Sequence, residues 1–207
     1  MNMMTTNLLD ALPDFSNFEY QVAIAPAGSQ LDASWSKLRE CERRLEMYRW
    51  FEKQNDPAKA QHRFLIYDSV SAFLLTFEAT LQILQSQLTN LSTTISGKNN
   101  FGNWLCKQPQ YDVIFRGLRS LRHLEAHVEP VQKPSEIKAV FPSSSVSRTY
   151  KLPRLDRVIL GKLKHSPLKN ADMGNWNNLV ANRNVTDIFT EGLQKLKEIL
   201  EAVETLI

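Results

Sequence analysis

The sequence predicts a mainly α fold, an up-and-down helical bundle of about four long helices with a small β-hairpin-containing insertion. Apolar residues recur every three or four positions in four segments, which is the spacing of one helix face. Prolines and asparagine-rich stretches separate those segments. The chain has 207 residues, of which 43% are hydrophobic and only 7 are glycine, so it can bury a substantial core. This length is typical of one domain, or of one domain with an added lobe.

The first part of the chain is predicted to be irregular and then helical. Residues 1–30 contain the breakers Pro13, Pro26 and Gly28, with a short extended segment expected at 18–25. A helix is predicted over 31–54, with Asp32 or Ser34 as its N-cap. Residues 55–57, Asn-Asp-Pro, end that helix.

The second helix, predicted over 58–91, is apolar around much of its circumference between residues 64 and 77. Such a helix belongs in the middle of a bundle or in an oligomer interface. Its central part carries only two charged residues, Asp68 and Glu78. A buried carboxylate needs a partner, and an arginine of the 113–129 segment is one candidate.

Four domain segments follow from the remaining pattern. Residues 1–30 form the irregular segment, 31–130 the bundle core, 131–183 a basic loop and β insertion, and 184–207 a helix that completes the bundle. Residues 92–109 are expected to be a linker, pinned to the bundle by Phe101 and Trp104, for which base stacking is the alternative role. In the insertion, 137–141 and 147–152 are predicted to pair as a hairpin. Residues 158–163 form another short apolar run, and 170–184 are expected to be turn-like, with Trp176 as an anchor.

The third long helix, predicted over 110–129 and closed by Pro130, carries the most informative pattern. At ~100° per residue its apolar positions form one band; they are Ile114, Leu118, Leu121, Leu124 and Val128. Arg116, Arg119, His123 and His127 fall opposite that band, and Arg122 lies on its flank. A face of cations and imidazoles suits an anionic ligand, although a solvated helix face is the simpler interpretation.

The spacing within this helix resembles the signature of the HEPN superfamily of small helical domains. That signature is an arginine, a polar residue, a short gap and a histidine. Arg122, His123 and His127 match its three positions. Arg116 and His123 offer a second register, but Gly117 stands where the polar residue belongs. The resemblance covers residues 31–130 and the C-terminal helix.

The resemblance implies a metal-independent endoribonuclease of a toxin or phage-defence type system, which cleaves RNA by attack of the 2′-OH. It assigns catalysis to Arg122, His127 and His123, with Arg116 and Arg119 as further RNA-binding residues. It implies no cofactor, a homodimer and an antitoxin or defence-complex partner protein. The alternative is a non-catalytic HEPN-like module that binds RNA or another protein.

A metal site is not expected at the two histidines of this helix. His123 and His127 are four residues apart and have the spacing to share a metal ion. However, Leu124 stands where a zinc protease has its glutamate, and no Cys, Asp or third His lies nearby in sequence.

Charge is unevenly distributed along the chain. The net charge is only +3, yet the stretch 131–170 is strongly basic. It contains Lys133, Lys138, Arg148, Lys151, Arg154, Arg157, Lys162, Lys164 and Lys169, against Glu136 and Asp156. We expect Lys151, Arg154 and Arg157 to help bind RNA, with a solvated basic loop as the alternative.

The expected location is the cytoplasm. Cys41 and Cys106 fit no metal or redox spacing and suggest a reducing compartment. The N-terminal residues have no Lys or Arg before their apolar positions and make a poor signal peptide. No long apolar run is free of polar interruptions, so no membrane span or membrane partner is expected.

Overall fold

The prediction of a mainly helical chain is confirmed by the computed structural model, which describes residues 8–15, 17–54, 60–91, 93–127, 151–163 and 166–207. Within these ranges there are seven α-helices and no strand. The helices are α1 (Asp32–Gln54), α2 (Ala60–Asn90), α3 (Lys98–Leu105), α4 (Val113–His127), α5 (Arg157–Lys162), α6 (Met173–Asn182) and α7 (Val185–Glu204).

The long helix α1 runs antiparallel to both α2 and α7. The Ser34 amide, at the start of α1, donates to Oε1 of Gln87 near the end of α2 over 2.9 Å. Trp35 donates through Nε1 to Glu204 at the end of α7 over 2.8 Å. At the other end of α1, Glu52 accepts from the Thr186 hydroxyl over 2.9 Å.

Helix α4 packs against α2 and α7 and runs opposite to both. Near the end of α4, Glu125 accepts a hydrogen bond from Tyr67 in the first part of α2. Just before α4, Asp112 pairs with Lys195 of α7 at 2.9 Å. The long helices therefore alternate in direction along the chain, in the order α1, α2, α4 and α7.

Aromatic rings fill the space between these helices. The largest fully buried side chains include Trp35, Tyr48, Phe73 and Phe115. The rings of Phe73 and Phe189 stack with centroids 3.9 Å apart and planes 12° apart. Such rings supply much of the buried apolar area of a core.

Helix α2 contains a stretch, Phe64–Asn90, that is long and apolar enough to cross a membrane. More than half of its most apolar window, 56%, is buried within the fold. This is typical of the core helix of a soluble protein, because such a helix packs its apolar surface against its neighbours.

Three segments that were not predicted to be helical contain helices. The supposed linker 92–109 includes α3, the apolar run 158–163 lies mostly in α5, and the turn-like 170–184 includes α6. In α3 and α6 an apolar pair four residues apart is buried; the pairs are Phe101 with Leu105 and Trp176 with Val180. That burial overrides the weak helix propensity of the surrounding asparagines. The predicted hairpin strand 137–141 lies outside the described residues, as does 147–150, and the described Lys151 and Leu152 belong to no strand.

The N-terminal segment is held by a buried carboxylate on α1. Glu42 is 3% exposed and accepts the backbone N–H groups of Gln21, Val22 and Ala23 over 2.7, 2.9 and 2.7 Å. The segment expected to be extended at 18–25 is therefore attached by backbone hydrogen bonds to a side chain and belongs to no sheet.

Replacing Glu42 with glutamine is expected to loosen this attachment. Glu42→Gln exchanges two acceptor oxygens for one and places an NH₂ group against a backbone donor. We expect the free energy of unfolding to fall by about 1.5 kcal/mol. Hydrogen exchange at Gln21, Val22 and Ala23 should quicken. The exposed Glu19 provides the control, and equal effects of Glu19→Gln and Glu42→Gln in urea denaturation would contradict this role.

Candidate functional site

Helix α4 carries the predicted site and is positioned by its own sequence pattern. Asp112 precedes the helix, and its side chain accepts the Phe115 N–H over 3.1 Å, which satisfies a donor of the first turn. The predicted apolar band is confirmed as far as it is described, since Ile114, Leu118, Leu121 and Leu124 are all buried. Val128 and Pro130 lie outside the described residues.

Arg119, which is half-buried, forms a bidentate salt bridge with the buried Glu78 of α2. Its Nε and NH2 atoms donate to the two carboxylate oxygens, each over 2.8 Å. Burial lowers the pKa of Arg119, but the hydrogen bonds and charge of Glu78 outweigh that effect and raise it overall. The partner of Glu78 is therefore an arginine of α4, which was the candidate that the sequence suggested.

Tyr111 completes this cluster. Arg119 donates through NH1 to the Tyr111 hydroxyl over 3.2 Å, and its guanidinium lies 5.9 Å from the centre of the Tyr111 ring. Burial raises the pKa of Tyr111, and the neighbouring guanidinium opposes that rise. The phenol therefore stays neutral near pH 7.

Arg116 is also paired with a carboxylate. Its NH1 atom lies 2.6 Å from Oδ2 of Asp172, and its Nε donates to the Asp112 carbonyl over 3.2 Å. Asp172 directly precedes α6, so the ion pair ties α4 to that helix. Two of the residues expected to bind an external anion thus meet acids of the protein itself.

Arg122 differs from the other two arginines of α4. Its Nε atom is buried and has no hydrogen-bond partner among the described residues.

One turn after Arg122 along α4, Glu125 accepts the Tyr67 hydroxyl over 2.8 Å. Burial, followed by the hydrogen bond and charge of Glu125, raises the pKa of Tyr67 to about 12. Tyr67 is therefore a neutral donor at physiological pH.

Of the two histidines of the motif, the structure describes the side chain of His123 only. His123 is half-buried and lines an open groove beside α4. His127 is the last residue of α4, and its side chain lies outside the description. The structure therefore places Arg122 and His123 next to each other in the last two turns of α4, with the backbone of His127 in the same helix.

The groove beside His123 encloses about 990 Å³ between the second half of α2 and α4. Glu78 and Arg119 lie in its wall together with Tyr111. The rest of the lining is mainly polar; it comprises Gln82, Gln85, Ser86, Thr89, Asn90, Lys98, Ser166 and Pro167.

The three basic residues predicted to bind RNA outside α4 are all exposed. The Lys151 ammonium donates to the Ala181 carbonyl near the end of α6. Arg154 precedes α5, and Arg157 is its first residue. The segment that follows α5 packs on α4, because buried Trp176 lies against Gly117 and the Leu168 N–H donates to Ser120 over 3.0 Å.

Metal-binding side chains do not cluster in the described part of the chain. No group of three or more His, Cys, Asp or Glu residues has the geometry to hold an ion there. The described lining of the groove that includes His123 otherwise consists of amides, hydroxyls, Lys98, Pro167, Tyr111 and the Glu78–Arg119 pair.

Four residues of this region were not identified from the sequence: Tyr67, Tyr111, Gln82 and Gln85. A signal for the two glutamines exists, because polar residues recur at positions 82, 85, 86, 89 and 90 along one side of α2. Tyr67 has no such signal, since it acquires its partner Glu125 only when α2 and α4 pack together. The partner of Tyr111 is Arg119, eight positions further along the chain, but the apolar band of α4 did not indicate it.

No protein-family model, no curated protein and no solved structure matches this chain. Its function is therefore inferred from the chemistry of α4 and of the groove.

Proposed function

We propose that this protein is a HEPN-like, metal-independent endoribonuclease of a toxin or phage-defence type system, acting in the cytoplasm. Arg122, His123 and His127 form its catalytic motif. One observation carries the proposal: among the described residues the buried Nε of Arg122 has no hydrogen-bond partner, while Arg116 and Arg119 are each paired with a carboxylate.

A buried donor without an acceptor is costly, which is why such groups are uncommon in folded proteins. The cost is removed when a ligand brings the missing acceptor. A phosphate oxygen suits this role, because the planar guanidinium donates to phosphate through two N–H groups at once. Arg122 therefore has the properties of a phosphate-binding residue.

In the proposed reaction the ribose 2′-oxygen attacks the adjacent phosphorus and the bond to the 5′-oxygen breaks. One proton leaves the 2′-OH and one is delivered to the 5′-oxygen, so the products are a 2′,3′-cyclic phosphate and a 5′-OH. His127 transfers protons in this scheme. Arg122 stabilises the negative charge that develops on the phosphoryl oxygens. His123 orients one of these groups.

The arrangement of the long helices supports the proposal at the level of fold. Helices α1, α2, α4 and α7 alternate in direction, which is the pattern of an up-and-down bundle. In the proposed assembly two copies form a homodimer and bring both motifs to one cleft, and an antitoxin or another defence-complex protein restrains the enzyme. Fold alone does not establish activity, so the chemistry of the motif has to be tested.

A second candidate function is a non-catalytic module that binds RNA or another protein. It is favoured by the pairing of Arg116 with Asp172 and of Arg119 with Glu78, which leaves α4 with less cationic surface than its sequence suggests. In this case Lys151, Arg154 and Arg157 supply the affinity for RNA, and binding weakens steeply with salt.

The nuclease proposal predicts that Arg122→Ala and His127→Ala each reduce RNA cleavage by at least ~100-fold, the usual cost of removing an electrostatic or acid–base group. His123→Ala should cause a smaller loss, because His123 only orients its neighbours. Labelled tRNA and mRNA are incubated with the purified protein in EDTA. The fragment ends are then analysed for 2′,3′-cyclic phosphate.

Arg39 of α1 provides the matched control, since it too is half-buried and forms no ion pair among the described residues. Arg39→Ala should cleave like the wild type. Arg122→Lys keeps the charge but loses the planar fork, so it should remain impaired. Intact RNA with every protein, all folded and free of bound inhibitor, would favour the non-catalytic module.

A further inference from the structure

The groove beside His123 has one wall with unused hydrogen-bonding capacity. The carboxamides of Gln82, Gln85 and Asn90 make no hydrogen bond to any described residue. Gln87, on the other side of α2, has its amide engaged by Ser34 and Gln30. Each carboxamide offers both donors and an acceptor, so this wall suits a ligand whose polar groups are uncharged and of both kinds.

The charges of the groove favour an anionic ligand. Among its described lining residues Glu78 is the one acid, and Arg119 neutralises it through two 2.8 Å hydrogen bonds. Lys98 is exposed and forms no ion pair with the described residues, and His123 lies in the same lining. The groove therefore combines neutral amides with a positive balance of charge.

Nucleic acid is the ligand class that combines these properties. Its phosphates are anionic, while its base edges carry the mixed donors and acceptors that glutamine and asparagine recognise. Only unpaired bases expose those edges to a groove of this kind, so a single strand fits better than a duplex. An acidic peptide would provide carboxylates for Lys98. For the three carboxamides, however, only its main chain would offer both hydrogen-bond donors and acceptors.

We propose that this groove binds single-stranded RNA, with Lys98 on a phosphate and Gln82 and Gln85 on base edges. The groove includes His123, so the bound strand leads to the end of α4 that carries Arg122 and His127. The inference rests on the proposed function for the nature of the substrate, but it concerns binding and not cleavage.

The test measures binding of a short fluorescent 2′-O-methyl RNA, which cannot be cleaved by attack of its own 2′-oxygen. Fluorescence anisotropy should show that the double variant Gln82→Ala/Gln85→Ala raises the Kd about tenfold, the effect of losing two ordinary hydrogen bonds. Lys98→Ala should weaken binding and make the salt dependence shallower by about 0.7, the contribution of one phosphate contact on a single strand.

The controls are Gln194→Ala on α7 and Lys53→Ala at the end of α1, both exposed and both outside the groove. They should bind like the wild type, and circular dichroism should show all variants folded. If the wild type cleaves unmodified RNA but the groove variants bind the probe as tightly as the wild type does, the groove proposal is wrong and the nuclease proposal is unaffected. Weakened binding of the probe by the groove variants, together with intact unmodified RNA after incubation with the wild type, supports the groove proposal and rejects the nuclease. Equal affinity for a duplex of the same sequence, or tighter binding of an acidic peptide, overturns the inference.

Discussion

Replacing Arg119 with methionine is expected to remove about 3 kcal/mol of the free energy of unfolding. The change leaves the Glu78 carboxylate, whose side chain is only 5% exposed, without its cation. Breaking one side of a buried ion pair typically costs 3–5 kcal/mol. We expect the lower end of that range, because the Arg119 side chain is 19% exposed and water can replace part of the lost interaction.

The measurement is urea denaturation of the wild type, of Arg119→Met and of the double variant Arg119→Met/Glu78→Leu. The double variant should regain most of the lost stability, since replacing both charges with apolar side chains leaves no buried charge unpaired. Arg39→Met on α1 serves as the control and should change little. An Arg119→Met protein as stable as the wild type would show that the salt bridge contributes nothing.

The same double variant separates a structural role of Arg119 from a role in RNA binding. It removes the guanidinium without leaving a buried carboxylate behind. If RNA binding survives in a stable double variant, Arg119 acts only through the fold. If binding weakens while stability is restored, Arg119 also contacts the RNA, as the resemblance to HEPN domains implies.

Adding a single methyl group at Gly117 is expected to cost about 3 kcal/mol, at the upper end of what overpacking a core usually costs. A Cβ at this position would lie 2.9 Å from Cδ2 of Trp176 and closer still to two other atoms of its ring. Trp176 is fully buried and cannot swing aside. The gain of about 1 kcal/mol in helix propensity from glycine to alanine is too small to compensate.

Gly102 of α3 provides a matched control, because it is also helical and a Cβ there meets nothing within 4 Å. Gly102→Ala should be neutral or slightly stabilising, whereas Gly117→Ala should lower the thermal midpoint markedly. In a Trp176→Phe background Gly117→Ala should cost less, because the smaller ring leaves room for the methyl group. Equal effects of Gly117→Ala in the two backgrounds would disprove the contact.

The features that followed from the sequence are those with a local cause. The buried band of α4 could be predicted because the 3.6-residue period of a helix makes Ile114, Leu118, Leu121 and Leu124 neighbours. That a buried Glu78 needs a partner could be predicted, because a carboxylate on an apolar helix must be neutralised, but the sequence left open which residue that partner is. The anchoring role of Trp176 followed from its isolation among polar residues. Each of these conclusions required only residues close together in the chain.

The sequence by itself determined the helical class, the register of α4 and the positions of its arginines and histidines. Only the tertiary structure decided which arginine of α4 keeps an Nε without a partner in the described part of the chain, because Arg119 meets an acid 41 positions away and Arg116 one 56 positions away. It also made helices of α3 and α6, since burial of one apolar pair in each outweighs local propensity. The groove likewise exists only where α2 and α4 lie side by side. Distances between remote side chains depend on packing, and no local pattern encodes them.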